Sequence, residues 1–149
     1  INAALEAPEL FRKVAADSFD GSTLPESFGD ALLRERQAAK GDESARAFYA
    51  WCQGEDWEQV VDRDTAVLVD YGRKQTRIFR RPIEEIQVPL LITASRADEM
   101  LVNDLDAECQ RLRERNPLIQ YRLYDTGAHP LLLSRAEELA EQIRAFLLA

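Results

Sequence analysis

The carboxyl-terminal third constrains the fold most. Val88-Pro89-Leu90-Leu91-Ile92-Thr93-Ala94 is a short, unbroken apolar run, the pattern of a strand buried on both faces. Leu101, Leu105, Cys109 and Leu112 then recur at helical spacing, in a segment that ends near Asn116-Pro117. Leu118 to Tyr124, rich in branched and aromatic residues, suits a second strand, and Asp125-Thr126-Gly127 is a turn. Ser134 and Glu137 form an S-x-x-E pattern, which predicts a capping box ahead of a helix with Leu139, Ala140, Ile143, Phe146 and Leu147 on one face. Strand, helix, strand, helix in this order predicts a parallel sheet covered by helices. The fold class is α/β.

Upstream the pattern is less regular. Asn2 to Ala7 favour a helix that Pro8 closes, and the segment from Leu10 to Asp17 reads as a short buried strand with a polar tail. Gly21, Ser22, Pro25 and Gly29 mark a loop. From Glu26 to Arg81 the chain reads as helical. Leu32, Leu33, Gln37 and Ala38 precede a break at Gly41-Asp42, and Ala45, Phe48, Tyr49 and Cys52 form one helix face. After Gly54, a further helical stretch opens with Trp57, Val60 and Val61.

Composition removes several function classes. Nineteen Lys and Arg against 27 Asp and Glu leave a net charge of -8, which repels a phosphate backbone and argues against nucleic acid as partner. No apolar run approaches the roughly 18–20 residues of a membrane span. Residues Ile1 to Pro8 contain Glu6 and no basic residue, unlike a signal or transit peptide. Cys52 and Cys109 are too few for a disulfide scaffold, fit no metal motif, and read as core residues on helix faces. The expectation is a reduced, cytoplasmic protein without a metal. Its 149 residues are enough for one core.

In parallel α/β sheets, ligands bind beyond the carboxyl ends of the strands. Asp98 lies four residues past Ala94, and His129 five residues past Tyr124. Parallel neighbours would bring both loops to one rim, where the carboxylate could orient the imidazole and leave its other nitrogen free as a general base. A lone His in a turn is more often a surface or packing residue, and Asp favours turns and caps in any case. The pair, at matching positions after consecutive strands, is far more specific than either residue.

These residues carry a resemblance. Pro82-Ile83-Glu84-Glu85-Ile86-Gln87 with the apolar run to Ala94 and then Asp98 resembles the stretch leading to the triad acid of the α/β-hydrolase fold. Ala94 stands where that family often has Gly. Gly127-Ala128-His129-Pro130, followed by a terminal helix ending Ile143-Arg144-Ala145-Phe146-Leu147, resembles its catalytic histidine and last helix. The likeness is good over residues 82–149 and weaker over Ile1 to Phe19. It implies Asp98 as triad acid, His129 as general base, a small-molecule ester or amide as substrate, and no metal or organic cofactor.

The family's nucleophile sits in a G-x-S-x-G elbow. None of Ser18, Ser22, Ser27, Ser44, Ser95 and Ser134 has glycines two residues away on both sides. The sequence also starts at Ile1, without methionine. The resulting expectation is the carboxyl-terminal part of a hydrolase, cut a few residues after its nucleophile. Residues 1–25 and 82–149 would be the last parallel strands with their flanking helices. Residues 26–81 would be the inserted helical cap, with Phe48, Trp51 and Trp57 lining a substrate pocket; as a bland alternative these aromatics are the cap's own core. The missing nucleophile would be a serine, or an aspartate as in dehalogenase-like or epoxide-hydrolase-like relatives. Two readings compete with truncation: a non-catalytic binding module derived from a hydrolase, and one chain of a split enzyme. An edge strand without its neighbour further predicts a chain that is inactive alone and self-associates or pairs through the open edge.

Overall fold

The computed structural model describes residues 1–19, 21–100 and 104–149, so Leu101 of the apolar series above lies outside the described residues. The chain divides into two compact units, one formed by residues 1–22 and 79–149 and the other by residues 23–78.

The first unit is built on three parallel strands, β1 (Val14–Asp17), β2 (Leu90–Ser95) and β3 (Ile119–Tyr124), in the order β1-β2-β3. Val14 pairs with Leu90 and Asp17 with Thr93 on one side of β2, while Leu90 pairs with Ile119 and Ser95 with Tyr124 on the other. Every residue of β2 is buried, as its apolar run requires of a central strand. The strand starts at Leu90 because Pro89 has no N–H to donate, although its carbonyl accepts from Val14 N at 2.9 Å. β1 is shorter than its sequence suggests: Pro8–Leu10 forms a 3-10 turn, and Leu10 is exposed.

Helices cover this sheet with narrow stripes. α5 (Leu105–Arg115) buries Leu105, Cys109 and Leu112 and is capped by Asp104, whose side chain accepts from Ala107 N at 3.0 Å. Cys109 and Leu112 join Ile83, Ile86, Leu90, Ile92 and Ile119 in the core, with Leu5 from α1 (Asn2–Glu6). A short helix α6 (Leu131–Ser134) precedes α7 (Ala136–Leu148). α7 buries Leu139 and Phe146 and half-buries Ile143, whereas Ala140 and Leu147 fall one position off this stripe and are exposed. The anticipated capping box does not form. Arg135 precedes α7 without a side-chain cap, and Ser134 is the last residue of α6, where its hydroxyl donates to the Ala128 carbonyl at 2.7 Å.

The second unit consists of α2 (Glu26–Gly41), α3 (Glu43–Gln53) and α4 (Trp57–Lys74). α4 buries Trp57, Val61, Thr65, Val69 and Gly72, a single stripe of i+4 steps ending on one i+3 step. α2 and α4 approach closely where side chains are smallest. A Cβ on Gly29 would stand 3.3 Å from Val69 Cα, and one on Gly72 would stand 3.0 Å from the Pro25 carbonyl oxygen. Asp42, at the predicted break, caps α3 by accepting from Ala45 N at 2.8 Å. α3 itself buries no residue. Its periodic face is therefore not a core face, and Cys52, expected in the core, is exposed. Periodicity marks a face that can be covered, and within this unit the α2–α4 pairing takes up the buried surface instead.

Candidate active site

The last main-chain contacts between β2 and β3 lie at Ser95 and Tyr124, followed by a hydrogen bond from Arg96 N to the Tyr124 carbonyl at 2.8 Å. Beyond this point each strand runs into a loop, the first carrying Asp98 and the second His129. The two side chains meet: His129 Nδ1 stands 3.0 Å from Asp98 Oδ2. The Asp98 side chain is fully buried, while that of His129 is 37% exposed. Asp98 Oδ1 accepts from Met100 N at 2.9 Å, so both carboxylate oxygens are occupied and the group is fixed on two sides. An ionised carboxylate only accepts, and the bond therefore requires the proton on Nδ1. Among the described residues no group hydrogen-bonds to Nε2. This arrangement can accept a proton at Nε2 while the buried carboxylate compensates the imidazolium that forms.

The histidine loop is fastened along its length. Ser134 Oγ donates to Ala128 O, and His129 N donates to Glu99 Oε2 at 3.2 Å. Leu131 N donates to Ser18 Oγ at 3.2 Å and Leu132 N to Asp17 Oδ2 at 2.9 Å, both from the end of β1. Asp17 Oδ1 also accepts from the buried Thr93 hydroxyl at 2.7 Å. Gly127, two residues before His129, has φ of 137°, and a Cβ there would lie 2.6 Å from Leu131 Cδ1. Only glycine fits this backbone and this space.

Charged groups flank the pair. The Arg96 guanidinium holds Asp106 through two bonds, Nε–Oδ2 at 2.8 Å and Nη2–Oδ1 at 2.7 Å, and Asp125 through Nη1–Oδ1 at 2.7 Å. The hydrogen bond from Arg96 is the main reason the Asp106 carboxyl lies below the usual carboxylate range. Among the described residues no three His, Cys, Asp or Glu side chains converge as metal ligands would.

Sequence reasoning singled out Asp98 and His129 but not the residues that hold them. Asp17 and Ser18 had a signal, because they too end a parallel strand at its carboxyl edge. Arg96 and Glu99 flank Asp98 in the same loop, but nothing in the local sequence names their partners. Phe48, Trp51 and Trp57 belong to the second unit and are not equivalent there. Trp57 is buried and stacks on Tyr49 with ring centroids 5.7 Å apart, whereas Phe48 and Trp51 are 56% and 83% exposed.

The sequence matches no protein-family profile and no curated protein. Solved structures do resemble it. NosK from Streptomyces actuosus superposes with a TM-score of 0.72 at 16% identity, over 97% of this chain and 61% of its own. A serine hydrolase involved in carbazole degradation, the CarC enzyme, gives 0.64 at 14% identity over 97% and 57%. E-2-(acetamidomethylene)succinate hydrolase gives 0.61 at 18% identity over 99% and 62%. The chain thus spans 57–62% of the length of these structures. At such identities the likeness speaks for the fold alone. Three parallel strands, their flanking helices and these superpositions agree on one architecture: the chain has part of the α/β-hydrolase fold.

Proposed function

We propose that this chain is the acid- and base-bearing part of an α/β-hydrolase that cleaves an ester or amide in a small-molecule substrate. The observation that carries the reading is the bond from His129 Nδ1 to the buried Asp98 carboxylate, beyond the ends of adjacent parallel strands. In the proposed reaction, Nε2 of His129 removes the proton from a nucleophilic hydroxyl as that oxygen attacks the substrate carbonyl. Asp98 holds the tautomer and stabilises the imidazolium. The imidazolium then returns its proton to the leaving group. The same nitrogen next deprotonates a water that attacks the acyl-enzyme carbonyl, and returns that proton to the nucleophile's oxygen as the acyl–oxygen bond breaks and the acid product leaves. The nucleophile, a serine, and the oxyanion donors come from a segment outside these 149 residues. The outer edge of β1, unpaired among the described strands, is where the sheet would continue into that segment. In this reading residues 26–81 are the cap insertion, whose Phe48 and Trp51 are exposed.

The reading is tested on the chain joined to the coding segment directly upstream of Ile1. That segment is expected to contain an in-frame G-x-S-x-G, and the joined protein to hydrolyse simple esters. His129→Ala is expected to lower kcat by roughly a thousandfold or more, as loss of a triad base does. Turnover retained in His129→Ala, or an upstream start codon with no elbow, would overturn it.

A further inference from the structure

Asp98 and His129 are displayed on two loops that separate after the last backbone contact between β2 and β3. Parallel strands offer no hairpin to hold such loops together, so their spacing beyond that contact depends on side chains. Arg96 and Asp125 are the first residues after the paired Ser95 and Tyr124, and their side chains join at 2.7 Å. They continue the pairing by one step outside the strand ladder. The same guanidinium grips Asp106, in the first turn of α5, with two bonds. One side chain thereby links the base of the acid loop, the base of the histidine loop and the helix that follows the acid loop.

We infer that Arg96 is a positioning residue for the Asp98–His129 pair, acting through Asp125 and Asp106 to keep the two loops at hydrogen-bonding distance. The inference rests on the reading of that pair as acid and base. Isolated exposed ion pairs contribute little to stability, but a planar guanidinium shared between two carboxylates fixes direction as well as distance. Asp98 lies two residues past this clamp and His129 four residues past it. A small change of angle at the clamp is therefore carried to the pair. Lysine, with a single ammonium, can keep one of the two partners but not the bidentate geometry.

The chain offers a direct readout, because His129 is its single histidine. Nitrogen-15 NMR of the labelled 149-residue chain reports one imidazole, whose Nδ1-protonated tautomer and slowly exchanging Nδ1 proton mark the bond to Asp98. Arg96→Gln is expected to mix the tautomers and speed exchange of that proton by about tenfold, with the far-UV spectrum unchanged. Arg96→Lys is expected to fall between the two. Asp125→Ala removes only the bond from Arg96 to the histidine loop and leaves the grip on Asp106, which guards against a folding defect in Arg96→Gln. It is expected to reproduce the mixed tautomer. Asp98→Asn provides the control for the underlying reading. If Asp98→Asn changes the imidazole while Arg96→Gln and Asp125→Ala leave it as in the parent chain, the role of Arg96 is overturned and the pair stands. If Asp98→Asn also changes nothing, the acid–base reading fails, and the role of Arg96 fails with it.

Discussion

Asp17, the last residue of β1, accepts a hydrogen bond from the backbone N–H of Leu132, 115 positions further along the chain. Its second oxygen accepts from Thr93, its register partner on β2, so one carboxylate ties the sheet to the segment just after His129.

Replacing Asp17 by alanine leaves the buried Thr93 hydroxyl with only a long bond to Ala16 O and orphans the Leu132 N–H. A loss of about 1–3 kcal/mol is expected in urea unfolding. Asp17→Asn keeps an acceptor and should lose less. Equal losses for the two would show that charge, not hydrogen bonding, holds this corner.

Two glycines should respond oppositely to alanine. Gly127→Ala meets both a disfavoured φ and the Leu131 side chain, and should cost roughly 1–3 kcal/mol. Gly41→Ala, at the end of α2 with open space around it, should be neutral or stabilise by up to about 1 kcal/mol. Paired thermal melts of the two variants check both signs.

The thiols should differ sharply. Burial, reinforced by Glu108 and Asp106, pushes the Cys109 thiol up to about 11, while Cys52 is exposed. A thiol reagent near neutral pH is expected to modify Cys52 quickly and Cys109 only on unfolding. Two fast-reacting thiols in the native chain would contradict the packing of α5.

Glu84 sets an acid-sensitive contact. Burial raises its carboxyl pKa, but a backbone hydrogen bond together with Arg115 and Arg111 outweighs this and holds it below the usual carboxylate range. A depressed folded-state pKa stabilises the protein above the unfolded value, about 4.3, and that contribution is lost as pH falls through the folded value. Glu84→Gln should therefore melt lower than the parent at neutral pH, with the gap closing below about pH 4. A gap independent of pH would remove the ionic explanation.

Where the sequence could be read, one residue type dominated its neighbourhood. Leu90 to Ala94 sit between two strands and under helices, so burial selects apolar residues at every position but Thr93, whose hydroxyl is bonded to Asp17, and the strand announces itself. Asp98 and His129 were legible because the carboxyl ends of parallel strands are places with a physical meaning. The capping role expected of Ser134 failed because α6 ends there and Arg135 intervenes, a detail of chain direction that a four-residue pattern does not contain. The face of Ala45, Phe48, Tyr49 and Cys52 was periodic yet only partly covered, with Ala45 and Tyr49 half-buried and Phe48 and Cys52 exposed, since periodicity says nothing about how much of a face a neighbour covers. The anchors of the histidine loop were hidden for another reason. Asp125 lies 29 positions from Arg96, and Leu132 lies 115 from Asp17, so only the folded topology matches them.

Thr23 and Arg77 form an isolated antiparallel bridge, which brings the two ends of the helical unit side by side. A segment that leaves and returns at one point can be lengthened, shortened or exchanged with little change in the closure entropy of the surrounding chain. The helical unit is in that sense a self-contained cassette, inserted in the chain between β1 and β2.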